Sequence, residues 1–399
     1  MSVSRSYPII LPLLAALATS TSASAQTAES NASGAAQVAI TMTSDNGGSC
    51  KLSATEAAAG PVTFTVTNQT ATALTEVELL SGNRIIGEKE NLAPGLPSVT
   101  FTVTLGGGSY DIYCPGADPQ KTAFTVTGAA AKRAEGSVSE LLDKGTADYS
   151  AYVNKTVDAM VVAVTKLDAD ITAGDLEAAK TDYAHARPFY ERIEADVDGF
   201  VMDGFDATDN HGNLDYLIDM RASNEDPAVG WSGYHAIERD LFERGAITDD
   251  TKTTAHELLK NVKLLDQLAP SLEFWPEDLA NGAADLLEEV QSTKISGEEE
   301  AYSHIDLADF AGNVEGAEQA FAYLEPGMAQ IDPDLTKRVS DEFDKVRALL
   351  DGYRDNTVPG GYVLYTDALK ASDKVTLSRA IQSLQEPLSR VAEKVATAG

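Results

Sequence analysis

The chain has 399 residues, of which 30 are basic and 62 acidic, for a formal net charge of −32. So acidic a protein repels nucleic acid and anionic lipid and draws cations towards it. The length allows two or more domains with cores of their own, and nothing beyond the N-terminus approaches the ~18 uninterrupted apolar residues of a membrane span.

The first 25 residues read as a secretory signal peptide. Arg5 supplies the positive start, Ile9 to Ala18 the short apolar run, and Ala23-Ser24-Ala25 a small-residue cleavage site. No cysteine follows the apolar run, so no lipid anchor is expected. The mature protein should be exported and soluble, in a bacterial periplasm, without direct membrane insertion. Residues 26–36 read as a flexible lead-in.

From residue 37 to 128 the chain is rich in Thr, Val and Gly. Val62-Thr-Phe-Thr-Val-Thr67, Val99-Thr-Phe-Thr-Val-Thr104 and Thr122-Ala-Phe-Thr-Val-Thr127 alternate with period two, which predicts a β-sandwich of roughly seven strands. Residues 129–136, Ala- and Gly-rich with Lys132 and Arg133, read as a linker. From 137 to 399 Ala, Leu, Glu, Asp and Lys recur at helical spacing, which predicts an all-α bundle. The expected fold class is therefore multi-domain: an N-terminal β-sandwich followed by a helix bundle.

Three i,i+3 pairs in the bundle bring acidic or imidazole groups onto one helix face: Glu191 with Glu194, His235 with Glu238, and Asp306 with Asp309. Acidic pairs at this spacing arise readily in so acidic a chain. His235 and Glu238 differ, because Trp231, Tyr234, Ile237 and Phe242 surround them. A mixed His/carboxylate set suits iron, zinc or manganese. The zinc-protease pattern H-E-x-x-H is absent, since His256-Glu257 is followed by Leu258-Leu259-Lys260.

In the β region Cys50 and Cys114 each end a run, and an even pair in an oxidising compartment forms a disulfide by default. The competing reading is a metal site, with both thiols and the carboxylates of Glu76, Glu78 and Glu88 holding Cu²⁺ or Fe³⁺. The region contains no His, which speaks against a blue-copper electron-transfer centre.

Taken together, the segments Leu74-Thr-Glu-Val-Glu78, Glu88-Lys-Glu90, Tyr110-Asp-Ile-Tyr-Cys114, Tyr190-Glu-Arg-Ile-Glu194, Gly233-Tyr-His-Ala-Ile-Glu238, Lys294-Ile-Ser-Gly-Glu-Glu299 and Asn313-Val-Glu-Gly316 make the chain resemble the EfeO-type periplasmic components of bacterial ferrous-iron uptake. These join a cupredoxin-like domain to an imelysin domain bearing an H-x-x-E motif. The resemblance implies a non-enzymatic iron-binding protein that delivers iron to a membrane permease beside a haem-containing, dye-decolourising-type peroxidase. By matching residues it makes His235, Glu238 and Glu191 iron ligands, with Asp309 or Glu194 completing the site and zinc a further candidate occupant. It makes Cys50, Glu76 and Cys114 the copper or ferric-iron site of the first domain, where a ferroxidase-like step is conceivable. Where relatives often carry a large aromatic before Asp309, this chain has Ala308.

Two other functions compete. An H-x-x-E metallopeptidase would use Glu238 as general base and needs an open metal position. An acidic-polysaccharide binder would need a basic patch or a bridging cation, and Lys252, Lys260 and Lys294 form no cluster in sequence.

Overall fold

The structure, a computed structural model, describes residues 26–82, 84–129, 136–197 and 200–398. The expected signal peptide and the centre of the expected linker lie outside the described residues.

Nine strands are present among the described residues, two more than the sequence suggests: β1 (Ala36–Thr43), β2 (Ser49–Leu52), β3 (Glu56–Ala58), β4 (Gly60–Asn68), β5 (Val77–Ser81), β6 (Arg84–Lys89), β7 (Val99–Leu105), β8 (Gly108–Tyr113) and β9 (Lys121–Thr127). They form a four-stranded sheet in the order β2-β1-β4-β7 and a five-stranded sheet in the order β3-β9-β8-β5-β6. The extra strands are the short β2 and β3, too brief to show a period. Residues 26–35, expected to be loose, are tied down instead. Ala28 N donates to Glu56 O at 2.7 Å and the Asn31 amide to Glu393 at 2.9 Å.

Alternation explains the sandwich core. Phe64 on β4 pairs with Phe101 on β7, and their rings stack at 5.0 Å with Phe124 edge-on at 5.4 Å. The outward face of β4 is not all solvent. Thr63 Oγ1 lies 2.8 Å from Thr102 Oγ1 and 3.3 Å from Glu393 Oε2, because the bundle covers that sheet.

The bundle contains α1 (Ser137–Ala173), α2 (Leu176–Glu191), α3 (Glu194–Val197), α4 (Leu214–Asp219), α5 (Tyr234–Glu238), α6 (Asp249–Leu268), α7 (Pro276–Glu289), α8 (Asp306–Ile331), α9 (Pro333–Asp351), α10 (Asp367–Leu388) and α11 (Val391–Ala396). In α1 the buried stripe Val153, Val157, Met160, Val164, Leu167, Ile171 follows the 3.6-residue period. Gly174, at φ 76°, ends the helix in the left-handed conformation, and the Asp175 side chain caps α2. Two π-helical turns, Arg239–Glu243 after α5 and Val290–Lys294 after α7, insert an extra residue beside the buried polar centre. Such turns concentrate at functional positions.

The two parts meet along α7, α11 and β6–β7. Lys89, 3 % exposed, pairs with Asp285 and lies 3.7 Å from Glu288. Asn281 donates to Thr102 O at 2.7 Å. No helix among the described residues is long and apolar enough to cross a membrane.

Candidate metal centre

The bundle buries ionised side chains at its middle rather than hydrocarbon alone, and local backbone features bring them together. Gly233 precedes α5 at φ 80°, and a Cβ there would stand 2.2 Å from Ile218 O. Only glycine lets the start of α5 lie against the end of α4, which places His235 and Glu238 beside Asp219. On the other side, Gly312 and Gly316 of α8 press against α2. A Cβ on Gly312 would meet Glu191 Cβ at 2.7 Å, and one on Gly316 would meet Arg192 O at 2.3 Å. Arg187 and Glu191, one turn apart on α2, are thereby held over Asp309.

His235 is 1 % exposed and Glu238 fully buried. His235 Nδ1 lies 3.2 Å from Glu238 Oε2. Its Nε2 points at Glu299 Oε1, 3.3 Å away, and Asp219 Oδ1, 3.6 Å away, without completing a hydrogen bond to either. Two sets of donor atoms therefore converge on one imidazole, Asp219–His235–Glu299 and His235–Glu238–Glu300, each lying within 4.8 Å of one another. Glu238 Oε1 accepts from Tyr302 N and Ser303 N, both at 2.7 Å, which fixes its carboxylate.

Fixed cations balance part of this negative charge. Arg187, fully buried, pairs with Asp219 and Glu191 and reaches Glu299 at 3.2 Å, Glu300 at 3.0 Å and Asp309 at 3.2 Å. Tyr234 lies under its guanidinium at 5.0 Å. Lys294, also buried, stands 3.2 Å from Glu191, 3.4 Å from Glu299 and 3.6 Å from Glu194. Burial lifts the Asp309 and Glu300 carboxyls well above the usual range, with neighbouring carboxylates adding to it. Burial likewise takes Asp219 to about 7, against the pull of Arg187 and His235. Burial alone would push His235 down. Asp219, Glu238 and Glu299 outweigh it and raise the imidazole to about 10, so the ring carries a proton in this arrangement.

The sequence-predicted set is thus only partly one site. His235 and Glu238 touch. Glu191 and Asp309 surround Arg187, and Glu194 lies beside Lys294 and Asn313 at 3.2 Å. Asp219, Glu299, Glu300 and Arg187 were not anticipated. Asp219 ends a six-residue helix and carries no periodic signal, and Glu298-Glu299-Glu300 reads as a solvated acidic run. Arg187 had a signal, its i,i+4 spacing to Glu191. His256 is a surface residue paired with Asp168 at 2.5 Å.

In the sandwich the expected thiol ligands are not available as drawn. Cys50 and Cys114 are joined in a disulfide, so neither presents a thiolate. The carboxylates remain. Glu78 faces Glu88 directly across the β5–β6 pair and Tyr113 across β5–β8. Glu78 is 5 % exposed and its Oε2 has no hydrogen-bond partner among the described residues. Burial, then repulsion from Glu76, lifts its carboxyl to about 10.

A helix bundle enclosing a buried His/carboxylate cage, with a β-sandwich packed on it, defines the class of architecture. The imelysin family model matches residues 145–391. An Efem/EfeO family lipoprotein of Staphylococcus haemolyticus is 38% identical over 254 residues, covering 63% of this chain and 83% of the relative. One from Staphylococcus aureus strain MRSA252 is 37% identical, covering 63% and 84%. The chain belongs to the imelysin family and is an EfeO-type protein.

Proposed function

We propose that this is an exported, periplasmic iron-binding protein of a bacterial iron-uptake system, which takes the ion into the His235 cage and surrenders it to a membrane permease. The observation that carries this reading is the buried Nε2 of His235, aimed at two carboxylates and hydrogen-bonded to neither. A nitrogen buried so, among hard oxygen donors, suits iron, zinc or manganese. Asp219 and Glu299 would be the partners at Nε2, and Glu238 and Glu300 those at Nδ1. The ion must displace the imidazolium proton, so uptake releases protons. Glu191, Asp309 and Glu194 then act through Arg187 and Lys294, holding these cations where they neighbour the cage. The net charge of −32 favours cation capture at long range.

The sandwich is read as cupredoxin-like, with Glu76, Glu78 and Glu88 as oxygen donors for ferric iron or copper. The copper-mediated ferroxidase-like step drawn on Cys50 and Cys114 loses both thiols to the disulfide. By family resemblance the partners are the permease and a haem-containing, dye-decolourising-type peroxidase. A peptidase reading finds little support, because both oxygens of Glu238 are engaged and neither is left to act as a base.

The test is metal content after equilibrium dialysis of the mature chain against Fe²⁺ (anaerobic), Zn²⁺ and Cu²⁺, beside a His235→Ala, Glu238→Ala variant. Loss of iron-group binding with survival of a separate copper site is expected. Unchanged binding in the variant would make the H-x-x-E pair structural and end this reading.

A further inference from the structure

The cage is reached through two cavities, and one side chain stands between them. The first, of about 90 Å³, opens at the junction of the two domains. Glu88 and Glu90 of the sandwich, Asp215 and Glu289 of the bundle, and the cage residues Asp219 and Glu299 line it. The second, of about 180 Å³, lies on the other side and is lined by Trp231, His235, Glu238, Glu298 and Tyr302. Arg221 and Glu299 line both. Arg221 is largely buried, pairs through Nη1 with Glu289, and reaches Glu299 Oε2 at 2.9 Å. It therefore links a wall of the junction cavity to a donor of the cage.

The two mouths differ in charge. Carboxylates of both domains converge on the junction, and the buried Oε2 of Glu78, without a hydrogen-bond partner among the described residues, lies one strand behind Glu88. Lys89, which also lines this mouth, is engaged by Asp285 and Glu288. The second mouth is flanked by Trp231 and Tyr302, with Glu298 as its outermost acid. A low-dielectric cleft lined by one sign of charge concentrates the opposite ion.

We infer that Arg221 is a gate between these mouths: a divalent cation enters at the domain junction past Glu88 and Glu90, and reaches His235 when Arg221 releases Glu299. This rests on the iron-cage reading above and adds a route and a gating residue to it.

The test is stopped-flow binding of Co²⁺ alone to the full mature chain, followed by its visible absorption. Folding of each variant is checked by circular dichroism, and a His235→Ala protein is run alongside. Glu88→Gln with Glu90→Gln should slow association about fivefold at low salt, with the difference vanishing at 1 M salt, and leave unchanged the part of the final spectrum that His235→Ala removes. Glu298→Gln should leave the rate unaltered. Arg221→Lys keeps the charge but loses the planar guanidinium whose Nη1 contacts both Glu289 and Glu299, and should speed association about tenfold. An unaltered rate in Arg221→Lys, or slowing by Glu298→Gln instead of the junction pair, would overturn the gate while the cage reading stands. A wild-type Co²⁺ spectrum that persists in His235→Ala would remove the cage reading itself, and the gate with it.

Discussion

The two halves of this protein bury carboxylates in opposite ways. In the bundle, Asp219, Glu191, Glu299, Glu300 and Asp309 are gathered around Arg187, and Lys294 and Arg221 stand beside them. In the sandwich, Glu78 faces Glu88 across a strand pair, and its buried Oε2 has no hydrogen-bond partner among the described residues. Like charges directly opposed in a sheet are destabilising. The bundle surrounds its acids with built-in cations, which hold Glu299 well below the usual carboxylate range against burial and orient the others, a preorganised cage. The sandwich leaves Glu78 to a proton or to an external cation. A buried acidic cluster is therefore characterised by what neutralises it as much as by its ligands.

Removing the bundle's internal cation should break this contrast most severely. Arg187→Ala leaves five buried carboxylates without their common partner and should cost about 3–5 kcal/mol, or prevent folding, read by urea denaturation. The sandwich has a covalent tie where the bundle has ionic ones. Reducing Cys50–Cys114, which closes a separation of 64 residues, should cost about 2–4 kcal/mol. Thermal unfolding with and without reductant would show this in the sandwich transition and not in that of the bundle.

The cage and the sandwich should also respond differently to metal. With free Zn²⁺ at 100 times its dissociation constant, the wild-type bundle should gain about 2.7 kcal/mol. Chelation should remove that gain, and His235→Ala should never show it, as calorimetry would report. The smallest effect concerns Glu78. Its carboxyl is raised from 4.5 to about 10, so the folded state holds a proton that the unfolded chain releases. Stability is then complete below pH 4.5 and declines as pH rises towards 10. Glu78→Gln should flatten that slope and gain about 1–2 kcal/mol at pH 8, measured by denaturation across pH. A steeper slope in the variant would contradict this account.

The sequence made some of this legible for stated reasons. Period-two runs such as Val62–Thr67 exposed the sandwich, and helical spacing exposed the bundle. His235 and Glu238 stood out because four apolar or aromatic neighbours enclosed a polar pair. Asp219 did not, because it ends a helix too short to show a period, and Glu299 and Glu300 did not, because irregular backbone carries them in. Gly233 makes that approach possible, yet a lone glycine before a helix announces only a turn. Alternation alone would turn Thr63 to solvent, but the bundle covers it, and a period within one segment cannot register that. Arg187 has in sequence only an i,i+4 spacing to Glu191, and Gly312 and Gly316 are what bring α8 down on it.

The π-helical turn Val290–Lys294 has a consequence for comparing relatives. Glu289 and Lys294 are five residues apart, and Lys294 Nζ nonetheless lies 3.6 Å from Glu289 Oε1. In a regular α-helix, five residues put two side chains about 140° apart around the axis. Relaxing this turn to regular α geometry with all its residues kept would swing the lysine out of the cage, whereas deleting one residue would restore a regular helix with the pair four apart and about 40° apart around the axis. Among related sequences, an acid and a lysine five apart here therefore call for the π turn, whereas the same pair four apart meets in a regular helix.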